Sequence, residues 1–195
     1  MSKDRVETFS DGVFAIVLTL LVFQLRAPII ATHSSLSQYA VAMAPLIPNF
    51  ISFVLTFVMI CVHWVNHHYF FRHLRSVPLG IVWLNNLFLL WICILPFPTA
   101  MLGDHPTDQF PILLYAIDSL LLALTFYALR SYASYKKLFE ANKANLKTLG
   151  PKHSIPAITI YSLSILFTFV DVYVSLVCFL LVPLLYFVPN LIKSK

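Results

Sequence analysis

Three groups of side chains in this sequence have types and spacings that could do chemistry. The first is Arg5-Val6-Glu7-Thr8-Phe9-Ser10-Asp11, a polar cluster that runs straight into an apolar stretch. From Gly12 to Leu25 no residue is charged, and only Thr19 and Gln24 are polar. A carboxylate at the edge of such a stretch is expensive in a membrane and needs a partner. The second group is His63-Trp64-Val65-Asn66-His67-His68. His63 and His67 stand at i, i+4, a spacing that suits a metal on one helix face. The third is Asp118 with Asp171, carboxylates within apolar runs that could pass protons. Of the two, Asp171 at a turn is more simply solvated.

Other chemistries find no support. A membrane metallo-enzyme uses several His boxes with carboxylates; here there is one, and His33, His105 and His153 are scattered. There is no Ser/His/Asp arrangement, phosphate loop or dinucleotide fingerprint, and four glycines leave little room for one. Cys61, Cys93 and Cys178 lie in apolar runs, without metal-type spacing, and read as small buried residues. The expectation is therefore no enzyme, no metal and no cofactor.

The elements that position these groups follow from composition. The chain has 195 residues, of which 59% are hydrophobic and 11% charged. Its mean hydropathy is +0.84. A soluble domain carries about 25% charged residues, so this is an integral membrane chain. A helix needs about 20 residues to cross the hydrocarbon core. Apolar runs of that order place spans near residues 9–28, 39–65, 79–102 and 111–132, with Pro28 ending the first. Pro45 and Pro48 lie in the first half of the second, where neighbouring helices can tolerate a kink. The last apolar block, from Ile155 to Ile192, is too long for one span and just enough for two, 155–170 and 172–190, with Asp171 at the turn. The reading is all-α, with six transmembrane helices in one domain, 1–195, and a partly helical polar loop from Lys136 to Lys152.

Charge supports that count. With six crossings, Lys3, Arg5, Arg72, Arg75, Arg130 through Lys152, Lys193 and Lys195 fall on one side, and Asp104 and Asp108 on the other. By the positive-inside rule both termini are cytoplasmic. Only Arg26 is misplaced, and it can snorkel to the far interface. The basic pI near 9.2 is thereby topological and calls for no nucleic acid.

At 100° per residue, Gly12, Ile16, Thr19, Leu20 and Phe23 share one face of the first helix. The plain alternative is a packing stripe, with Thr19 bonding its own backbone one turn back. The same topology brings the end of the second span to the depth of Ser10 and Asp11. Trp64, Asn66, His67, His68 and the third span's Asn85 and Asn86 meet there, which suggests a hydrogen-bonded lock.

Arg5-x-x-x-Phe9-Ser10-Asp11, followed by Ala15-Ile16-x-x-Thr19-Leu20, resembles the signature of the transmembrane protein 175 family of endosomal and lysosomal potassium channels and their single-repeat bacterial relatives. Trp64-x-x-His67-His68, an Asn in the third span and Pro96-Phe97-Pro98-Thr99 fit as well. The resemblance covers about the first hundred residues by motif and the rest by span count. It implies a homotetramer in the inner membrane, with potassium as the permeant ligand and a pore lined by the first helix. No Thr-Val-Gly-Tyr-Gly filter exists here. By position the constriction carries over to Ile16, with Thr19, Leu20 and Phe23 beyond it; Phe23 stands where the family usually has Leu. Arg5, Phe9, Ser10, Asp11, Trp64, His67, His68 and Asn86 are then the structural network at the pore-helix base. Four Ile16 side chains could make an apolar neck that gates by dewetting. The alternatives are a small proton- or cation-coupled transporter using Asp118 and the His cluster, and a non-conducting scaffold.

Overall fold

The computed structural model describes residues 2–30, 32, 35–140 and 149–193, with side chains as far as residue 185. His33, Lys143, Lys147 and Lys195 lie outside the described residues, as does most of the segment expected to be partly helical. Of that loop, residues 138–140 are extended, and a 3-10 turn, Pro151–Ser154, forms its far end. Leu138 accepts from the Arg75 amide (2.9 Å), and the Glu140 amide donates to His73 (3.1 Å), forming a short bridge.

Helix α1, Lys3–Leu20, begins before the expected start and takes in the whole polar cluster. Asp4 in its first turn favours the positive end of the helix dipole. A 3-10 turn, Leu21–Gln24, tightens its end, so the helix stops short of Pro28. A Ser35–Gln38 capping box starts α2, Leu36–Met43. A 3-10 turn at Ala44–Leu46 joins it to α3, Ile47–Arg72, and the irregularity falls where Pro45 and Pro48 lack amide hydrogens. Likewise α4, Leu79–Ile94, yields at Pro96 to α5, Pro96–Asp104. Helix α6 is Gln109–Tyr135.

Among the described residues, four segments are long and apolar enough to cross a membrane: Lys3–Gln24, Leu36–Arg72, Leu79–Asp104 and Gln109–Tyr135. The chain is thus a multi-pass membrane protein. The last apolar block does split, into α7, Ile155–Phe167, and α8, Val172–Lys193. The 13 residues of α7 and the apolar stretch Val172–Leu185 are shorter than the other spans. The turn between them follows from its residues. Exposed Asp171 accepts the Tyr173 amide at 2.8 Å, and buried Ser164, Thr168 and Ser175 bond one another across the hairpin.

Helix α6 is central: it packs on α4, α5, α7 and α8, while α1 leans on α3 and α4. Buried Phe70, Phe88, Phe126, Tyr115 and Phe179 fill the space between. At one end, Lys3 Nζ donates to the Arg72 and Leu74 carbonyls (3.1 and 2.9 Å), satisfying orphan groups at the end of α3. At the other, Asn49 donates to Asp104 (2.7 Å), and Gln24 donates to the Pro96 carbonyl, tying the end of α1 to the α4–α5 break. The expectation of buried cysteines holds for Cys178 only. Cys61 is half-buried and Cys93 faces outward, all three as free thiols. An outward position in a span meets lipid or another chain, where a thiol is at no disadvantage.

Helix α5 touches α3 through Gly103. A methyl group there would come within 2.8 Å of the Asn49 Cα and of Ser52 Oγ. Backbone cannot yield cheaply, so Gly103→Ala should push the helices apart and destabilise by about 1–3 kcal/mol. A thermal melt in detergent checks this, and an unchanged Tm would mean that the contact is slack.

Candidate functional site: the two faces of the first helix

Helix α1 divides cleanly into two faces. Val6, Ser10, Phe14, Val17 and Leu21 recur at helical spacing and are buried against α3 and α4. The other face carries Gly12, Ala15, Ile16, Thr19, Leu20 and Phe23, and none of the described residues covers it. Ile16 is 59% exposed and Phe23 75%, and a methyl built on Gly12 would touch no atom. The Thr19 hydroxyl donates to the Ile16 carbonyl at 2.8 Å. Its hydrogen is therefore occupied, and its oxygen lone pairs are left on the uncovered face.

The buried face is anchored by a chain of hydrogen bonds. The His67 ring nitrogen Nε2 lies 2.7 Å from Asn85 Oδ1, and Asn85 Nδ2 donates to Ser10 Oγ at 2.9 Å. Ser10 in turn donates to the Val6 carbonyl at 2.8 Å. Because an amide oxygen only accepts, this arrangement puts the imidazole proton on Nε2. The three side chains are buried, and the His67 ring is stacked between Phe71 and Phe88 with Phe14 edge-on. One rotamer of His67 is thereby enforced. Beside this chain, Trp64 Nε1 donates to Asp11 Oδ1 at 2.9 Å, nearer the surface. That gives the edge carboxylate its partner.

Several expected members stand apart. Asn85 joins the network and Asn86 does not: one residue on, the side chain turns by 100° and is exposed. Arg5, Phe9 and His68 also lie on the exposed surface of the single chain. His68 merely flanks the Trp64 ring at 6.2 Å. Asn66 donates to the Val62 carbonyl of its own helix and stays out of the lock. The His63–His67 pair does not converge on one point: His67 is taken by Asn85, and His63 lines a separate cavity with Arg130. Asp118 is buried in α6, and neither of its carboxylate oxygens has a hydrogen-bond partner among the described residues.

The comparisons with known proteins fall into place here. The family described as "Endosomal/lysosomal potassium channel TMEM175" matches residues 5–96, which hold both faces of α1 and the whole lock. A relative from Chamaesiphon minutus, "Potassium channel Cha6605_3372", is 33% identical over 192 residues, covering 91% of this chain and 90% of that protein. This chain belongs to the TMEM175 family. A second relative, "Potassium channel HX13_20290" from a Chryseobacterium strain, is 29% identical over 97% of this chain and 95% of its own length. The crystal structure of a lysosomal potassium-selective channel TMEM175 homolog from Chamaesiphon minutus superposes with a TM-score of 0.81 at 27% identity, covering 94% of this chain and 95% of that one. The TMEM175 fold therefore extends over 94% of the chain, beyond the part carried by motifs.

One cluster in this TMEM175-family chain was not legible in the sequence. Thr56 and Thr99 share a hydrogen bond at 2.9 Å, and Tyr115 reaches Thr56 at 3.2 Å, joining α3, α5 and α6 in the core. Hydroxyls within apolar helices usually bond their own backbone, so their spacing carries no signal.

Proposed function

We propose that four copies of this chain form a potassium-selective, leak-type channel in the cell's inner membrane. The observation that carries this reading is the uncovered face of α1, a small, apolar and hydroxyl-bearing stripe on a helix whose other face is locked into its own subunit. One such helix encloses nothing, so the reading requires a ring, and closed rings are the rule for homo-oligomers. The family relationship supports the ring being a tetramer around α1. Six crossings follow if α7 and α8 both span. Both termini then lie in the cytoplasm with Lys3, Arg72 and Arg75.

In this arrangement four Ile16 side chains make an apolar neck that opens and closes by wetting. Thr19 lies one turn on, with hydroxyl oxygens free to replace part of the water that potassium sheds. Potassium gives up water more readily than sodium, which favours it without a carbonyl cage. Leu20 and Phe23 line the way out. Arg5, Phe9 and His68, exposed in one chain, lie where they can meet the neighbouring subunit.

The test is flux into liposomes from purified protein, first under a potassium gradient and then under a sodium gradient. Potassium flux well above sodium flux, without saturation, is the expected result. Saturating exchange would favour the second reading, a cation-coupled carrier using buried Asp118, whose carboxylate oxygens are without a hydrogen-bond partner among the described residues. No flux at all would leave a scaffold.

A further inference from the structure

Arg26 is the only arginine or lysine between Arg5 and Arg72, and it follows the first span at the end remote from Lys3. A basic residue on that side goes against the usual distribution of charge across a membrane. Its side chain is exposed, and among the described residues it makes no ion pair. Asp104, an acid at the same end, is bonded to Asn49, which is buried where α3 meets α5.

Beside Arg26 lies a groove of about 520 Å³, between residues 25–28 and the start of α3. Its walls follow from local chemistry. The 3-10 turn after α1 ends at Gln24, which is held by the Pro96 carbonyl, and Pro28 keeps the next residues out of a helix. Opposite, the break at Pro45 sets the start of α3 at Ile47. Apart from Arg26, every side chain lining the groove is apolar. Its floor continues down α3. Ile47, Phe50, Val54 and Phe57 are exposed and recur at i, i+3, i+7 and i+10, so they form one apolar lane toward the middle of the span.

We infer that this groove holds one acyl chain of an anionic phospholipid, with the headgroup phosphate on the Arg26 guanidinium. Its size is that of an ordinary ligand site, about 300–1,000 Å³. An acyl chain lying there exchanges lipid contacts for protein contacts, a nearly neutral change. The choice among lipids therefore falls to Arg26. Its planar fork of donors matches a phosphate, and a headgroup of net negative charge adds attraction that a zwitterionic one lacks. A soluble anion would satisfy the arginine but leave the lane bare. The bound lipid braces residues 25–28 against α3, whatever solute passes along α1.

The experiment places the full chain in liposomes with phosphatidylglycerol or phosphatidylcholine probes that carry the same diazirine-bearing acyl chain. After illumination, labelled peptides are mapped by mass spectrometry. The phosphatidylglycerol probe should label residues 43–57 about five-fold more than the phosphatidylcholine probe. In Arg26→Gln that ratio should fall to about one. Ile47→Trp, which fills the groove and keeps the arginine, should lower labelling by both probes. Equal labelling by the two probes in the wild type overturns the proposal, and this readout needs no variant to fold. A ratio that survives in Arg26→Gln overturns it too, as does label undiminished by Ile47→Trp. Absence of label at residues 43–57 would mean that a second copy of the chain fills the groove instead of lipid, and the proposal falls. Because labelling is read and not flux, a protein that conducts nothing would leave the inference standing.

Discussion

Asn85→Leu should destabilise the protein by about 2–3 kcal/mol and lower its Tm by about 5–10 °C, while the same change at Asn86 should leave the Tm within about 2 °C of the wild type. The two residues are neighbours of identical type, so composition and hydropathy cannot tell them apart. At position 85 the amide accepts from His67 and donates to Ser10, both buried. Leucine has nearly the same volume and removes both bonds. Ser10 keeps its bond to Val6, but the His67 Nε2 proton is stranded between Phe71 and Phe88. An orphaned buried donor costs more than the bond is worth on average. In membranes a single interhelical hydrogen bond averages about 0.6 kcal/mol, so most of the loss comes from the stranded proton. At position 86 the side chain is exposed, and leucine there meets lipid or a neighbour. Paired melts of the two variants in detergent decide the matter. Equal effects would mean that the lock is not what holds α1 on α3 and α4.

The second large effect separates the faces of α1. Phe14→Ala should destabilise by about 2–3 kcal/mol, because the cavity it leaves among His67 and Phe88 persists even where lipid removes most of the transfer term. Ile16→Ala, two residues on, deletes a side chain that touches little within its own subunit, so its Tm should stay within about 2 °C of the wild type. Its effect should appear in transport: a shorter side chain widens and wets the neck, and potassium flux should rise several-fold. The pair is read by melting and by liposome flux on the same preparations. A rise in flux with Ile16→Ala and an unchanged melt would place the neck on the uncovered face. Unchanged flux would move the pathway off this face, and a large loss of stability would mean that Ile16 is buried between subunits instead of lining a pore.

The membrane class, the four long spans, the kink at Pro45 and Pro48 and the turn at Asp171 were determined by the sequence alone. Each depends on local chemistry: the length of an apolar run, a missing amide hydrogen, a capping carboxylate. The stripe of Gly12, Ile16, Thr19, Leu20 and Phe23 was legible for the same reason, since a helical period is a property of the chain itself. Tertiary structure alone decided which of two adjacent asparagines enters the lock. Both lie on one helix, and the choice depends on how α4 is rotated against α1 and α3. It also turned His63 away from His67, toward Arg130, although their spacing suited a common ligand. And it placed Thr56, Thr99 and Tyr115 in one cluster from three helices. Contacts of that kind depend on packing angles and helix rotation, which are set by the summed fit of many side chains and are not written at any single position.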